Sequence, residues 1–265
     1  MDVHGSTDAL SILHADVRLE AMWDPAMSDP EAGLDTTPLI DVAALLAGAR
    51  RAVIVAPHPD DEIIGTGGLL AEFAAIAFET LIISVTDGEA SLDGSQVWTR
   101  AALRVRRIEE SIAALHAIGF DPGNVVRLHI ADGCIRDRQE ELTKLLRWYL
   151  RDGDLVITPC SRNGNPDYVA CSRAVVDAVN PDGTATPEVP VWTWQWVNPE
   201  EDAELPWPSI VRIGLSRDAQ VRKRNALEFF ETQLRPDPHA SSTPALNAAT
   251  LRHFDRPFET LLQCA

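Results

Sequence analysis

Four short β-branched runs constrain what this chain can fold into. They are AVIVA (52–56), the first half of TLIISVTDGEAS (80–91), VVRLHI (125–130) and DLVITP (154–159). Between them lie IIGTGGLLAEFAAIA, an amphipathic stretch over 99–118 closed by Gly119, and QEELTKLLRWYLRD, all with helical spacing. Parallel strands need a crossover long enough to hold a helix. The alternation therefore predicts a Rossmann-like α/β three-layer sandwich, with a mostly parallel sheet and helices on both faces. AVIVA has no polar alternation, as expected of a strand buried on both sides.

Further elements extend the pattern. LIDVAALLAGAR (39–50) has helical spacing. A helix over 165–179 starts with Asn165 as cap and Pro166 in the first turn. PVWTWQW (190–196) reads as a Trp-rich strand, 216–234 as a helix, and 246–253 as a last short helix. Residues 1–38 read as an irregular arm and 235–265 as a C-terminal extension. No repeat or low-complexity linker divides the chain, so one domain over 1–265 is expected.

A chain of 265 residues can bury a large core. Its formal net charge is −17 and its pI about 4.7. Such a surface repels phosphate backbones and anionic lipid, so neither nucleic acid nor a membrane is an expected partner. The start lacks a basic segment followed by an apolar core. Cys134, Cys160, Cys171 and Cys264 show no paired spacing, which fits reduced thiols and a cytoplasmic setting.

Chemistry concentrates directly after the first strong strand, in APHPDDEIIGTGG (56–68). Ligand sites in doubly wound sheets lie at the carboxyl ends of strands. His58 and Asp61 stand three residues apart and could face one divalent cation, which would relieve the repulsion among Asp60, Asp61 and Glu62. Asp60 could then take a proton from water. A plainer reading is an acidic helix start that favours the helix dipole.

The full string P-H-P-D-D-E followed by G-x-G-G resembles the PIG-L/LmbE family of zinc-dependent N-deacetylases. Supporting segments are TDGE (86–89), Arg107 and Glu110 in the next helix, residues 161–174, the WTWQW strand and RPFETLL. The resemblance implies a small-molecule substrate such as an N-acetylated amino sugar. It makes His58 and Asp61 zinc ligands, Asp60 the general base and Glu62 a supporting carboxylate. Asp87 is either a site residue or a loop cap. Arg107 and Glu110 either serve the site or form a helix ion pair.

The second family motif, H-P-D-H, reads N-P-D-Y here. Asn165 replaces the His that acts on the oxyanion or leaving amine, and Tyr168 replaces the third zinc ligand; Pro166 and Asp167 remain. Gln195 and Leu92 also stand where relatives carry His. The chain is thus expected to be a zinc hydrolase with an unorthodox shell, or a relative that binds without catalysing. Cys171, one turn beyond Tyr168, could ligate as thiolate or pack the helix. Trp192, Trp194 and Trp196 alternate along one strand, as either a core wall or a stacking surface, with 204–209 as its rim.

Overall fold

A computed structural model describes residues 37–179, 186–192, 210–237 and 244–263. The arm over 1–36, Trp194, Gln195, Trp196, the rim at 204–209, His239 and Cys264 lie outside the described residues.

Among the described residues the sheet has eight strands: β1 (Leu39–Ile40), β2 (Arg51–Ala56), β3 (Thr80–Thr86), β4 (Val125–Ile130), β5 (Asp154–Pro159), β6 (Pro187–Val189), β7 (Ile210–Gly214) and β8 (Phe258–Gln263). Their spatial order is β1-β7-β8-β6-β5-β2-β3-β4. All pairs are parallel except the two made by β8, which runs antiparallel to β6 and β7. The α/β sandwich read from the alternation is the fold observed.

Every residue of β2 is buried. Ala52 and Ile54 join the core on one face of the sheet, and Val53 and Val55 join the core on the other. The first face is covered by α2 (Asp61–Ala75), α3 (Arg100–Ala117) and α6 (Arg217–Leu227). The second is covered by α4 (Gln139–Tyr149) and α5 (Pro166–Val179).

Three stretches differ from the sequence reading. Over 39–50 the chain forms β1 and then a single turn, α1 (Val42–Leu45), because the Asp41 carboxylate caps Ala44 N at 2.7 Å and starts the helix late. The helix expected over 216–234 is broken into α6 and α7 (Glu231–Leu234). The break drops Phe230 fully into the core, and Glu110 pins Thr232 through its N–H (3.0 Å) and hydroxyl (2.7 Å). Of the strand expected over 190–196, only residues 190–192 are described, and they do not extend the sheet, because β6 ends before Pro190, which has no N–H to donate; residues 193–196 lie outside the described residues. The last helix, α8 (Ala248–Phe254), lies close to its expected place, whereas RPFETLL supplies β8.

Helix α2 shows what its glycines do. Glu259 of β8 accepts from Gly68 N (2.7 Å) and Leu69 N (3.0 Å), and Lys223 of α6 neutralises it at 2.9 Å. A Cβ at Gly68 would sit 2.4 Å from Leu215 and 3.1 Å from the Glu259 carboxylate. Only glycine admits that approach.

Candidate active site

Strand β2 ends at Ala56, and the chain turns at once into α2. Asp60 occupies the junction with φ 121°, a strained conformation for a residue with a Cβ. The turn places His58, Asp60, Asp61 and Glu62 at the carboxyl end of the sheet. Three of these are acids with almost no exposure. Each is held differently.

Asp60 faces the guanidinium of Arg107 at 3.0 Å, and its own N–H donates to Glu62 Oε2 at 3.0 Å. Arg107, on α3, also donates to the carbonyls of Pro59 and Gly88. Burial pushes the Asp60 carboxyl up to about 8; Arg107 pulls against the shift, while Asp61 and Glu62 add to it. Glu62 takes a hydrogen bond from Ser111 at 2.6 Å, and burial raises its pKa too, opposing ionisation. Glu62 therefore clamps α2 to α3.

Asp61 accepts from His58 N (2.9 Å), from the Tyr168 hydroxyl (2.7 Å) and from Trp192 Nε1 (3.3 Å). His58 meets carboxylates on both edges of its ring. Nε2 lies 3.1 Å from Asp132 and 3.8 Å from Asp167, and Nδ1 lies 3.4 Å from Asp61 and 3.2 Å from Tyr168 Oη. Burial opposes charge on the ring, yet Asp132, Asp167 and Asp61 together raise its pKa well above 6.5. Burial works against the Asp132 anion as well, but the bond from His58 holds it down to about 2.

Helix α5 delivers the second motif. Asn165 Oδ1 accepts from Asp167 N at 2.9 Å, which makes Asn165 the cap and leaves its NH₂ as the donor it can offer a ligand. Asp167 accepts from Gly133 N (2.9 Å) and Ile135 N (3.1 Å), locking α5 to the loop after β4. Tyr168 is thereby set against His58, with ring centroids 5.2 Å apart. Burial, then the charges of Asp61 and Asp60, push its phenol well above 10. Cys171 packs in the core behind it; burial raises its thiol, so it acts as a packing residue and not as a thiolate.

Asp87 is buried beside His129, whose Nδ1 lies 2.7 Å away, and Arg104 at 3.6 Å. Arg107 and Glu110 form no ion pair with each other: one holds Asp60, the other Thr232 and Arg106. These groups frame a cleft of about 430 Å³ whose walls include His58, Asp60, Arg107, Asp132, Asn165, Tyr168 and Trp192. Sequence reasoning missed Asp132. It follows β4 as Asp60 follows β2, and the same rule about strand ends would have found it.

The donor sets decide what the cleft can hold. The set implied by the resemblance is His58 Nδ1, Asp61 and Tyr168. As it stands it does not fit a divalent cation, because the phenol is a proton donor to Asp61 and burial opposes its ionisation. A second set, His58, Asp132 and Asp167, offers three buried ligand atoms within 4.8 Å of one another and could hold a metal ion. A cation there would displace the Nε2 proton.

The family model for PIG-L, GlcNAc-PI de-N-acetylase, matches residues 53–179. Residues 53–179 belong to the PIG-L family. The PIG-L segment runs from β2 to the end of α5, so it contains both motifs and Asp132. A relative, 1D-myo-inositol 2-acetamido-2-deoxy-alpha-D-glucopyranoside deacetylase of Rhodococcus erythropolis, is 26% identical over 219 residues, 73% of this chain and 71% of the relative. Among solved structures, a deacetylase in complex with teicoplanin aligns with TM-score 0.60 at 18% identity, covering 80% of this chain and 97% of that one. N,N'-diacetylchitobiose deacetylase of Pyrococcus horikoshii aligns with TM-score 0.51 at 20% identity, covering 89% and 82%. At these identities the solved structures speak for the fold of the PIG-L segment and its surroundings. Among the described residues, no helix is long and apolar enough to cross a membrane.

Proposed function

We propose that this protein is an N-deacetylase, a hydrolase that removes an acetyl group from the nitrogen of an amino sugar or related small molecule in the cytoplasm. The observation that carries the reading is Asp60. It is a strained, buried carboxyl on the wall of the cleft, at the end of the first strong strand, with its pKa lifted to about 8. A base poised near the operating pH suits proton transfer. The curated relative acts on a 2-acetamido sugar, which supports that substrate class.

The residues divide the work as follows. Water adds to the acetyl carbonyl while Asp60 takes its proton. The C–N bond then breaks, the proton passes to the departing amine, and acetate and a free amine leave. Arg107 fixes Asp60 in place. Asn165 can donate to the acyl oxygen through its NH₂ but cannot deliver a proton. Trp192 offers the pocket an indole beside the sugar position. A divalent cation, zinc by the resemblance, would be held by His58 with Asp132 and Asp167 and would supply Lewis-acid polarisation of the acyl oxygen or the water.

The test is hydrolysis of N-acetylglucosamine conjugates, with and without added zinc, by the wild type and Asp60→Asn. A drop of ~10²–10⁴-fold in the variant is expected. Wild-type protein inert with excess zinc would sink the hydrolase reading. The second reading, a protein that binds such a sugar without cleaving it, is favoured by Asn165 and Tyr168. It predicts saturable sugar binding, unchanged in Asp60→Asn, without acetate release.

A further inference from the structure

We infer that the Tyr168 hydroxyl, rather than a cation, joins His58 to Asp61. The first-motif pair is then locked by hydrogen bonds, and divalent metal is taken up, where it is taken up at all, on the Asp132 edge of the imidazole. The inference rests on reading this cleft as the active pocket.

A phenol has one proton and two lone pairs. Tyr168 Oη has three polar neighbours: Asp61 Oδ1 at 2.7 Å, Trp192 Nε1 at 2.7 Å and His58 Nδ1 at 3.2 Å. A carboxylate accepts, so the phenol proton goes to Asp61. An indole N–H only donates, so one lone pair belongs to Trp192. The last lone pair faces His58. The hydroxyl is thus fully used, and it fills the space between imidazole and carboxylate that a chelated ion would need. Ligation by Tyr168 would require it to surrender its proton beside Asp61 and Asp60, the reverse of what these bonds arrange.

The lock is rigidly mounted. Asn165 caps α5, the adjacent Asp167 ties the helix to Gly133 and Ile135, and Trp192 closes on the hydroxyl from beyond β6. The ring is 3% exposed. On the other edge of His58 no such plug stands, and His58 and Asp132 both line the cleft.

The experiment titrates zinc into the chelator-stripped full chain. It reads zinc bound per chain, the melting temperature and the near-ultraviolet tyrosine difference spectrum. Wild type, Tyr168→Phe, Tyr168→His and Asp132→Asn are compared. The expected result is no phenolate signature in the wild type at any zinc concentration. Zinc binding, where present, should survive Tyr168→Phe and be lost in Asp132→Asn. Tyr168→His should gain a zinc-dependent rise in melting temperature larger than any the wild type shows, since a second site now stabilises the folded state. A phenolate band on zinc addition overturns the inference, as does loss of zinc binding in Tyr168→Phe or no gain in Tyr168→His. The spectrum of the wild type decides the matter even if a variant fails to fold. Failure of the N-deacetylase reading appears separately, as absence of acetate release whatever the spectrum shows.

Discussion

His58 sits among three carboxylates, and its protonation links the site to stability. Its folded pKa lies above the unfolded value, so its contribution is full below about 6.5 and is lost as pH rises through the raised value. Asp60, raised to about 8, acts in the same direction, since the folded state binds its proton more tightly than the unfolded state does. Asp132 runs the other way: held down to about 2, it stabilises above its unfolded pKa of about 3.9 and loses that contribution only in strong acid. The metal-free protein should therefore melt at a lower temperature at roughly pH 9 than at roughly pH 6. Scanning calorimetry at both values checks it, and a higher melting temperature in alkali would contradict the arrangement. Removing the charge that faces Asp60 should cost more. Arg107→Met removes the charge facing Asp60 and strands the Pro59 and Gly88 carbonyls, and should destabilise by about 1–3 kcal/mol in denaturant titration. The acids and His58 were legible in sequence because one string contains them. Their partners Arg107, Ser111, Asp132 and Trp192 are spread over more than eighty positions, and only folding brings them together.

Helix α2 and the loop after β3 show how elements set the site. Gly68→Ala would press a methyl against Leu215 and the Glu259 carboxylate, and should cost about 1–3 kcal/mol. Glu259→Ala should cost more, about 3–5 kcal/mol, because it strands the buried Lys223. Denaturant midpoints of the two variants test this ranking. Gly88 is the more functional case. It has φ +68°, and a Cβ there would lie 2.1 Å from the Arg107 guanidinium. Gly88→Ala should shift Arg107 off Asp60 and lower hydrolysis on the order of 100-fold. Equal activity at equal fold would show that Arg107 does not position the base. The TDGE segment was visible as a strand end. Its role as a shelf for Arg107 was not, since nothing local announces a contact with the next helix.

At the scale of the molecule, β8 decides whether the sheet is one piece. Among the described residues it alone bridges β6 and β7, antiparallel to both. Removing residues 257–265 should divide the sheet, release the Glu259 clamp on α2 and yield insoluble or protease-sensitive protein. Limited proteolysis against the full chain checks this, and a resistant truncated chain would overturn it. Strands β2 and β3 were readable because their burial demands nearly unbroken apolar runs, and β4 and β5 because short β-branched runs lie between helical stretches. Strand β8 was not, because FETLLQ mixes polar and apolar residues and contains Glu259, whose partners are the N–H groups of a helix nearly two hundred positions away.

By itself the sequence determined the alternation of strand and helix, the place of the acidic corner at a strand end, and the presence of Asn165 and Tyr168 at the start of a later helix. These follow from local periodicity, turn chemistry and residue identity, which neighbours along the chain carry. Tertiary structure alone decided what neutralises that corner. Arg107, the His58 imidazole, the Tyr168 phenol and the Trp192 indole arrive from four separate elements, and the direction of each hydrogen bond depends on ångström-scale placement after packing. A cation and a hydroxyl can answer the same crowding of acids, and the choice between them rests on which donors the fold sets within about 3 Å.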